Sequence, residues 1–381
     1  MRKKVLIICM MNSIHSAKWL SQFEDSEIDF YIFPSTYFRR VHPLLKQLVH
    51  SKSKANYTVQ LIPEISGYWD YFQERIFRLI FPQSSRKQRL NRFINSVSPE
   101  IIHALEFQHS AYLCVEVFNS YGKNFEFIAT NWGSDIYHFM YLPEHIIRIR
   151  QVLDYADKYS AECTRDLKLA VDLGFKGEFL PVFPNAGGFA LEEIAKKRPL
   201  TSSRTLILVK GYGGYFGRVQ LVIESLIQIL DESPQYSVFF YSVTDDVVEI
   251  VEDLMEKFGA RVNFSTVRKP ISSERLLELF TKARVYIGCS ISDGVSTSFL
   301  EALVSGAYPI QTNTSCAGEW IEKGASGSII NLDSTEISKS IREALSDNDL
   351  VNKAQIANAR VALEYLDHQK IRSSAFKFYF T

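Results

Sequence analysis

Val285-Tyr-Ile-Gly-Cys-Ser-Ile-Ser-Asp293-Gly294-Val295-Ser296-Thr297-Ser298-Phe299-Leu300-Glu301-Ala302-Leu303, running on to Gly306-Ala-Tyr-Pro309-Ile, reads as a buried strand, a short polar loop and a helix. The helix is predicted to begin near Thr297, with Ser296 or Thr297 as its cap. A helix amino terminus preceded by the flexible Gly294 offers unpaired N–H groups, a ready site for an anion. Asp293 falls in the loop and Glu301 about one turn inside the helix, with seven residues between them. Two acceptor-only carboxylates so placed can flank one elongated, hydroxyl-rich ligand, with a phosphate held at the helix start between them. The plainer reading of Glu301 is an exposed early-turn acid favoured by the helix dipole.

Outward from this stretch, short apolar runs alternate with amphipathic segments of helical length. Candidate strands are Val5–Met11, Ile28–Phe33, Tyr57–Ile62, Ile101–Ala104 and Phe125–Thr130, then Thr205–Val209, Ser237–Tyr241, Val262–Phe264, Val285–Cys289, Pro309–Gln311 and Gly327–Ile330. Continuous apolar strands separated by helices predict parallel sheets covered on both faces. Turn formers and charge from Pro181 to Arg198 mark a linker, dividing the chain into residues 1–185 and 190–365, with helix from Asp349 onward. Two such halves place a ligand cleft beyond the carboxyl ends of their strands. Neither half holds G-x-G-x-x-G with an acid ~20 residues on, nor a phosphate loop of the G-x-x-x-x-G-K-[ST] type, which disfavours nicotinamide chemistry.

Length and composition agree with this division. The 381 residues suit two domains, and 46% hydrophobic content with 23% charged residues excludes a disordered chain. Lys+Arg and Asp+Glu stand at 43 each, so the basic excess of a nucleic-acid binder is missing. The zero sum hides an asymmetry: residues 1–100 carry 15 Lys/Arg against 8 Asp/Glu. Between Arg75 and Pro99 lie Arg75, Arg78, Arg86, Lys87, Arg89 and Arg92 and no acid. On charge alone this is either a solvated helix face or one that meets an anionic surface or phosphate-bearing acceptor. The apolar run Val5–Met11 follows Arg2, Lys3 and Lys4 but falls short of the ~20 residues of a spanning helix, and no small-residue cleavage site follows. Five scattered cysteines without a C-x-x-C pair argue against zinc and disulfides and predict a reducing, cytoplasmic setting.

The Asp293-to-Glu301 element resembles the E-x7-E element of retaining glycosyltransferases of the GT-B fold, in particular glycosyltransferase family 4, with Asp293 where the first Glu usually stands. Leu206-Ile-Leu-Val209-Lys210-Gly211-Tyr212-Gly213-Gly214-Tyr215-Phe216-Gly217-Arg218 is similar to the loop where these enzymes keep two cations on the donor diphosphate. Ile101-Ile-His103-Ala-Leu105-Glu106-Phe-Gln108-His109 resembles the family's DVVHxH strand end, with Leu105 at the second His. Ala129-Thr130-Asn131-Trp132-Gly133-Ser134-Asp135 resembles its T-x-H-G-x-D segment, with Trp132 at the His.

The resemblance implies an α/β GT-B architecture, two Rossmann-like doubly wound domains facing each other across a cleft, with helix 366–381 returning to the N-terminal domain. It implies sugar transfer from a nucleoside-diphosphate donor to a glycan or lipid-linked acceptor with retention of configuration, as in surface-polysaccharide assembly. Donor binding then falls to Lys210, Gly211, Arg218, Gly294, Val295, Ser296, Thr297 and Glu301, and catalytic roles to Asp293, Asp135, His109 and His103. The loop residues Asn12, His15, Trp132 and Glu106 would face the acceptor. No metal or cofactor is implied; Asp347-Asn-Asp349 spells D-x-D but follows no strand, and reads as a helix cap. Residues Arg75–Arg92 become a peripheral contact with the inner membrane face, and nucleic acid is not a partner. Alternatives are an inverting transferase or sugar-nucleotide epimerase of the same fold, or an inactive sugar-nucleotide-binding protein.

Overall fold

The computed structural model describes residues 2–36, 38, 41–51, 53–59 and 85–380. Residues 60–62 of the expected third strand, and Arg75 and Arg78 of the basic run, lie outside the described residues. By contacts between Cα atoms the chain divides into two units, Met1–Gly187 with Ile371–Thr381, and Gly188–Lys370.

In the first unit, β1 (Lys3–Cys9), β2 (Ile28–Pro34), β3 (Asn56–Val59), β4 (Ile101–Leu105), β5 (Glu126–Thr130), β6 (Lys158–Ser160) and β7 (Glu178–Phe179) form one sheet in the order β3-β2-β1-β4-β5-β6-β7. Every pairing is parallel, with Val5 set against Phe30 on one side and Ile101 on the other. Residues Val5 to Cys9 are fully buried, and apolar clusters cover both faces of the sheet. Burying each such large aliphatic side chain contributes about 1.5–3 kcal/mol, which is why these strands read as unbroken apolar runs. In the second unit, β8 (Leu206–Lys210), β9 (Ser237–Val243), β10 (Val262–Thr266), β11 (Ala283–Gly288), β12 (Tyr308–Thr312) and β13 (Ser328–Ile330) order as β10-β9-β8-β11-β12-β13, again all parallel. Each unit is thus a doubly wound α/β layer structure, whose strand order reverses once: between β1 and β4, and between β8 and β11.

Strands β6 and β7 lie outside the sequence expectation. The single lysine of Lys158-Tyr-Ser is buried in the sheet, its Nζ 3.2 Å from Glu126 Oε2 and 3.9 Å from Glu178 Oε2. Carboxylates on both neighbouring strands offset the desolvation of that charge, so the strand carries no apolar signature.

The terminal helix His368–Phe376 leads into Phe378 and Tyr379, which are buried in the first unit. Trp19 meets the Phe378 ring at 4.8 Å and donates its indole N–H to the Tyr379 hydroxyl at 3.0 Å. In the second unit, buried Arg284 binds the carbonyls of Ala344 and Ser202 and the side chain of Asn348, tying β11 to the helices that follow. Asp347 accepts from Leu350 N–H at 2.8 Å as the N-cap of helix Asn348–Tyr365, so the D-x-D tripeptide is a cap.

Candidate functional site

In open parallel sheets, ligands bind beyond the carboxyl ends of the strands where strand order reverses. In the second unit that point lies between β8 and β11, and the two elements singled out in the sequence meet there. The loop after β8 pairs with the loop after β11: Arg218 N–H donates to Cys289 O at 3.0 Å, Ile291 N–H to Phe216 O at 2.8 Å, and Gly217 bridges Ser290. Lys210 Nζ comes 3.9 Å from Asp293 Oδ2 and lies 4.6 Å from the centre of the Tyr212 ring. Both charged side chains keep solvent access, at 24% and 30% exposure. Burial works against the Lys210 charge, but Asp293, Tyr286, Tyr212 and Glu301 together outweigh it, and its pKa is raised. Lys210 is therefore a fixed cation.

The Asp293 loop is braced from β12 as well: Asp293 N–H donates to Thr314 O at 3.3 Å and Cys316 N–H to Gly294 O at 2.8 Å. Gly294, Val295 and Ser296 are buried, Thr297 is half-buried, and helix Thr297–Ser305 starts at N-cap Ser296 with no side chain capping it. Ser296 thus occupies the cap position without making the cap bond. Leu300 N–H is bonded to Ser296 O, and Gly306 closes the helix in the left-handed region (φ +75°). Glu301 is half-buried, just beyond the first turn of this helix, and acts electrostatically on Lys210.

The glycine-rich loop departs from the expected phosphate cradle. Gly211 donates its N–H to Tyr241 O at 2.8 Å, and its carbonyl accepts from Thr244. A Cβ there would come within 2.7 Å of Val243 Cγ2, so only glycine fits this close against β9. Gly213 N–H is taken by Thr244 Oγ1 and Gly214 N–H by Asp246 Oδ2 at 2.6 Å. Arg218 turns one guanidinium nitrogen onto the carbonyls of Gly214, Tyr215 and Gly217, holding the loop in shape.

The reversal point of the first unit, between β1 and β4, is lined by the loops after β1, β4 and β5. Three expectations are corrected here. His103 is fully buried, its Nδ1 2.7 Å from the Tyr379 hydroxyl and its Nε2 2.6 Å from Thr130 Oγ1. Burial pushes its pKa down to about 3, so it is a neutral core residue rather than a catalytic one. Glu106 is buried and accepts the N–H groups of His109 and Ser110, capping the π-helical turn Phe107–Ala111 instead of facing an acceptor. Asp135 is buried, and its Oδ2 accepts from Trp132 N–H at 2.8 Å and Phe107 N–H at 2.9 Å. Burial, with Glu106 nearby, raises its pKa, and its carboxylate is engaged in pinning two loops together. His109 and Asn12 are exposed, and half-buried His15 and Trp132 pair with ring centres 5.5 Å apart.

Sequence reading passed over Arg165 and Asp166. Asp166 Oδ2 accepts from Asn131 at 2.8 Å, and Arg165 bonds Asp166, reaches Gly133 O at 3.2 Å and lies over the Tyr137 ring. Their signal was position, a Thr-Arg-Asp following β6, and β6 itself had no apolar pattern.

None of the five cysteines is in a disulfide and all are buried, with burial pushing the Cys9 thiol up to about 12. Among the described residues no helix is long and apolar enough to cross a membrane.

The fold is that of GT-B proteins with two Rossmann-like domains. The chain is similar to Anabaena Alr3699/HepE solved with UDP and glucose (TM-score 0.71, 11% identity, 99% of each chain covered). It is also similar to sucrose-phosphate synthase from Thermosynechococcus elongatus (TM-score 0.70, 14% identity, 99% of this chain and 98% of that one). A glycosyltransferase from Rickettsia africae aligns at TM-score 0.66 with 12% identity over 99% and 98% of the chains. No curated protein matches the sequence. Residues 192–361 match the family described as Glycosyl transferases group 1. The chain therefore carries a group 1 glycosyltransferase domain and is a glycosyltransferase.

Proposed function

We propose that this enzyme moves a sugar from a nucleoside-diphosphate donor, with retention of configuration, to a glycan or lipid-linked acceptor in surface-polysaccharide assembly. The observation that carries the reading is Lys210 held beside Asp293 in front of the uncapped helix start at Thr297. Lys210 and the helix N–H groups neutralise the diphosphate as it leaves, the kind of charge stabilisation that supplies most of a transfer rate. Asp293 accepts from hydroxyls of the transferred sugar and Glu301 from the ribose diol. The departing phosphate oxygen takes the acceptor's proton, so no enzymic nucleophile is required. No metal or cofactor takes part. UDP-sugars are the first donors to try, because the similar HepE protein was solved with UDP and glucose.

The acceptor half is the first unit, with His109, Asn12, His15 and Trp132 at its reversal point. Arg89 and Arg92, on a helix without acids, support a peripheral contact with the inner membrane face, and with it a cytoplasmic location. The test is turnover of UDP-, GDP- and ADP-sugars with the product anomer read by NMR. The reading predicts one preferred donor and a retained anomer, and at least a tenfold loss of turnover in Asp293→Ala and Glu301→Ala. An inverted anomer, an epimerised donor or unchanged turnover in both variants contradicts it.

A further inference from the structure

We propose that Trp132, backed by His15, is the platform on which a pyranose ring of the acceptor lies, so that the acceptor is a glycoside presenting an apolar C–H face. The inference rests on the transferase reading and assigns the substrate class of its second site.

Trp132 lies in the loop after β5, at the carboxyl edge of the first unit's sheet, packed in part against the apolar cluster there and in part accessible to solvent. Among the described residues the other tryptophans, Trp19 and Trp320, are buried at 1% and 2% exposure. An indole kept partly accessible at a strand's carboxyl end gives up some of the burial a Trp normally gains.

The backbone beneath it is held at many points. Trp132 N–H and Phe107 N–H share Asp135 Oδ2, Asp135 N–H returns to Trp132 O at 2.8 Å, and Asn131 N–H reaches Ser160 O at 2.8 Å. Asn131 Oδ1 accepts from Ile136 N–H, and Arg165 grips the Gly133 carbonyl. Gly133 takes a positive φ of 27°, which turns the chain sharply after the indole. Beyond the β5 loop, Gln108 donates to Asp135 O at 2.9 Å, so the loops after β4 and β5 move as one body. His15 braces the ring from the first turn of helix Ile14–Ser21 at an interplanar angle of 57°, its own N–H set on Ser13 Oγ. A ring so pre-oriented loses little freedom on binding.

The chemistry of the face names the ligand. An indole face is electron-rich and attracts the weakly positive C–H groups of a flat apolar partner. A β-linked pyranose offers such groups as an axial set, and its outward hydroxyls suit polar side chains such as the exposed Asn12 and His109 of the loops after β1 and β4.

The test is saturation-transfer NMR of methyl β-D-glucopyranoside and methyl β-D-galactopyranoside with the full chain, in the presence of UDP, for the wild type, Trp132→Ala and Trp132→Phe. The proposal predicts enhancement concentrated on the axial ring protons, lost at least fivefold in Trp132→Ala and kept within twofold in Trp132→Phe, with UDP signals equal in all three. Unfolding midpoints measured alongside show that the alanine variant is folded. No glycoside enhancement in the wild type, or the same enhancement in Trp132→Ala, overturns the platform while UDP binding leaves the donor reading standing. Absence of UDP signals in the wild type overturns the donor reading, and the platform falls with it.

Discussion

Lys210 decides the electrostatics of the donor end, because it is the cation aimed at the reversal point with an acid, an aromatic ring and a helix start around it. Replacing it by alanine removes the cation 3.9 Å from Asp293 and, in the proposed site, a counter-charge of the diphosphate. Loss of one such group costs on the order of 100-fold in rate, about 3 kcal/mol, so kcat/KM for the preferred donor should fall by about that factor in Lys210→Ala. Initial-rate measurements check this, and a loss below threefold contradicts it. His103 makes a prediction of the opposite kind. Its folded-state pKa, about 3, lies below the ordinary 6.5. Its contribution is therefore complete above pH 6.5 and is lost as pH falls, by about 2 kcal/mol at pH 5. The raised pKa values of Glu106, Asp135 and Asp166 act with the reverse sign over the same range. Comparing wild type with His103→Asn by urea unfolding at pH 7 and pH 5 isolates the histidine: the variant should lose less stability on acidification. Equal losses contradict the assignment.

At the scale of elements, the C-terminal segment acts as a latch on the first unit. The Tyr379 hydroxyl stands between Trp19 and His103, and the Phe378 ring packs on Trp19. Tyr379→Phe orphans two buried polar groups at roughly 1–3 kcal/mol each, so the unfolding midpoint of this variant should drop by several degrees; no change contradicts the latch. The helices and strands themselves were largely legible, because apolar runs such as Val5–Cys9 are continuous when both faces of a strand are buried. The exceptions have physical causes. Lys158 is solvated by Glu126 and Glu178 rather than by apolar neighbours, and β7 is a two-residue edge strand with both residues exposed. The strand, loop and helix around Asp293 were legible from their Gly, Ser and carboxylate spacing. The roles of Glu106 and Asp135 were not, since a carboxylate serving backbone N–H groups and one serving a substrate are the same letter in a sequence.

At the scale of the whole molecule, each unit repeats one plan and places its loops at one reversal of strand order. The unequal division of charge is carried by the first hundred residues. On helix Arg86–Val97, Arg86 donates to Ser35 O at 2.6 Å and Lys87 to Ser120 Oγ at 3.0 Å. The proposed membrane contact is tested on Arg89 and Arg92 of the same helix. Charge reversal of both should weaken binding to vesicles containing anionic phosphatidylglycerol at least threefold and leave donor binding intact; unchanged vesicle binding contradicts it.

The central claim, a sugar-nucleotide site at the reversal point between β8 and β11, is tested most directly by calorimetric titration of the wild type and Lys210→Ala with UDP-, GDP- and ADP-sugars. The account predicts saturable binding of one donor class by the wild type and at least a tenfold weaker affinity in Lys210→Ala. Binding of none of them, or equal affinity in the two proteins, would contradict it.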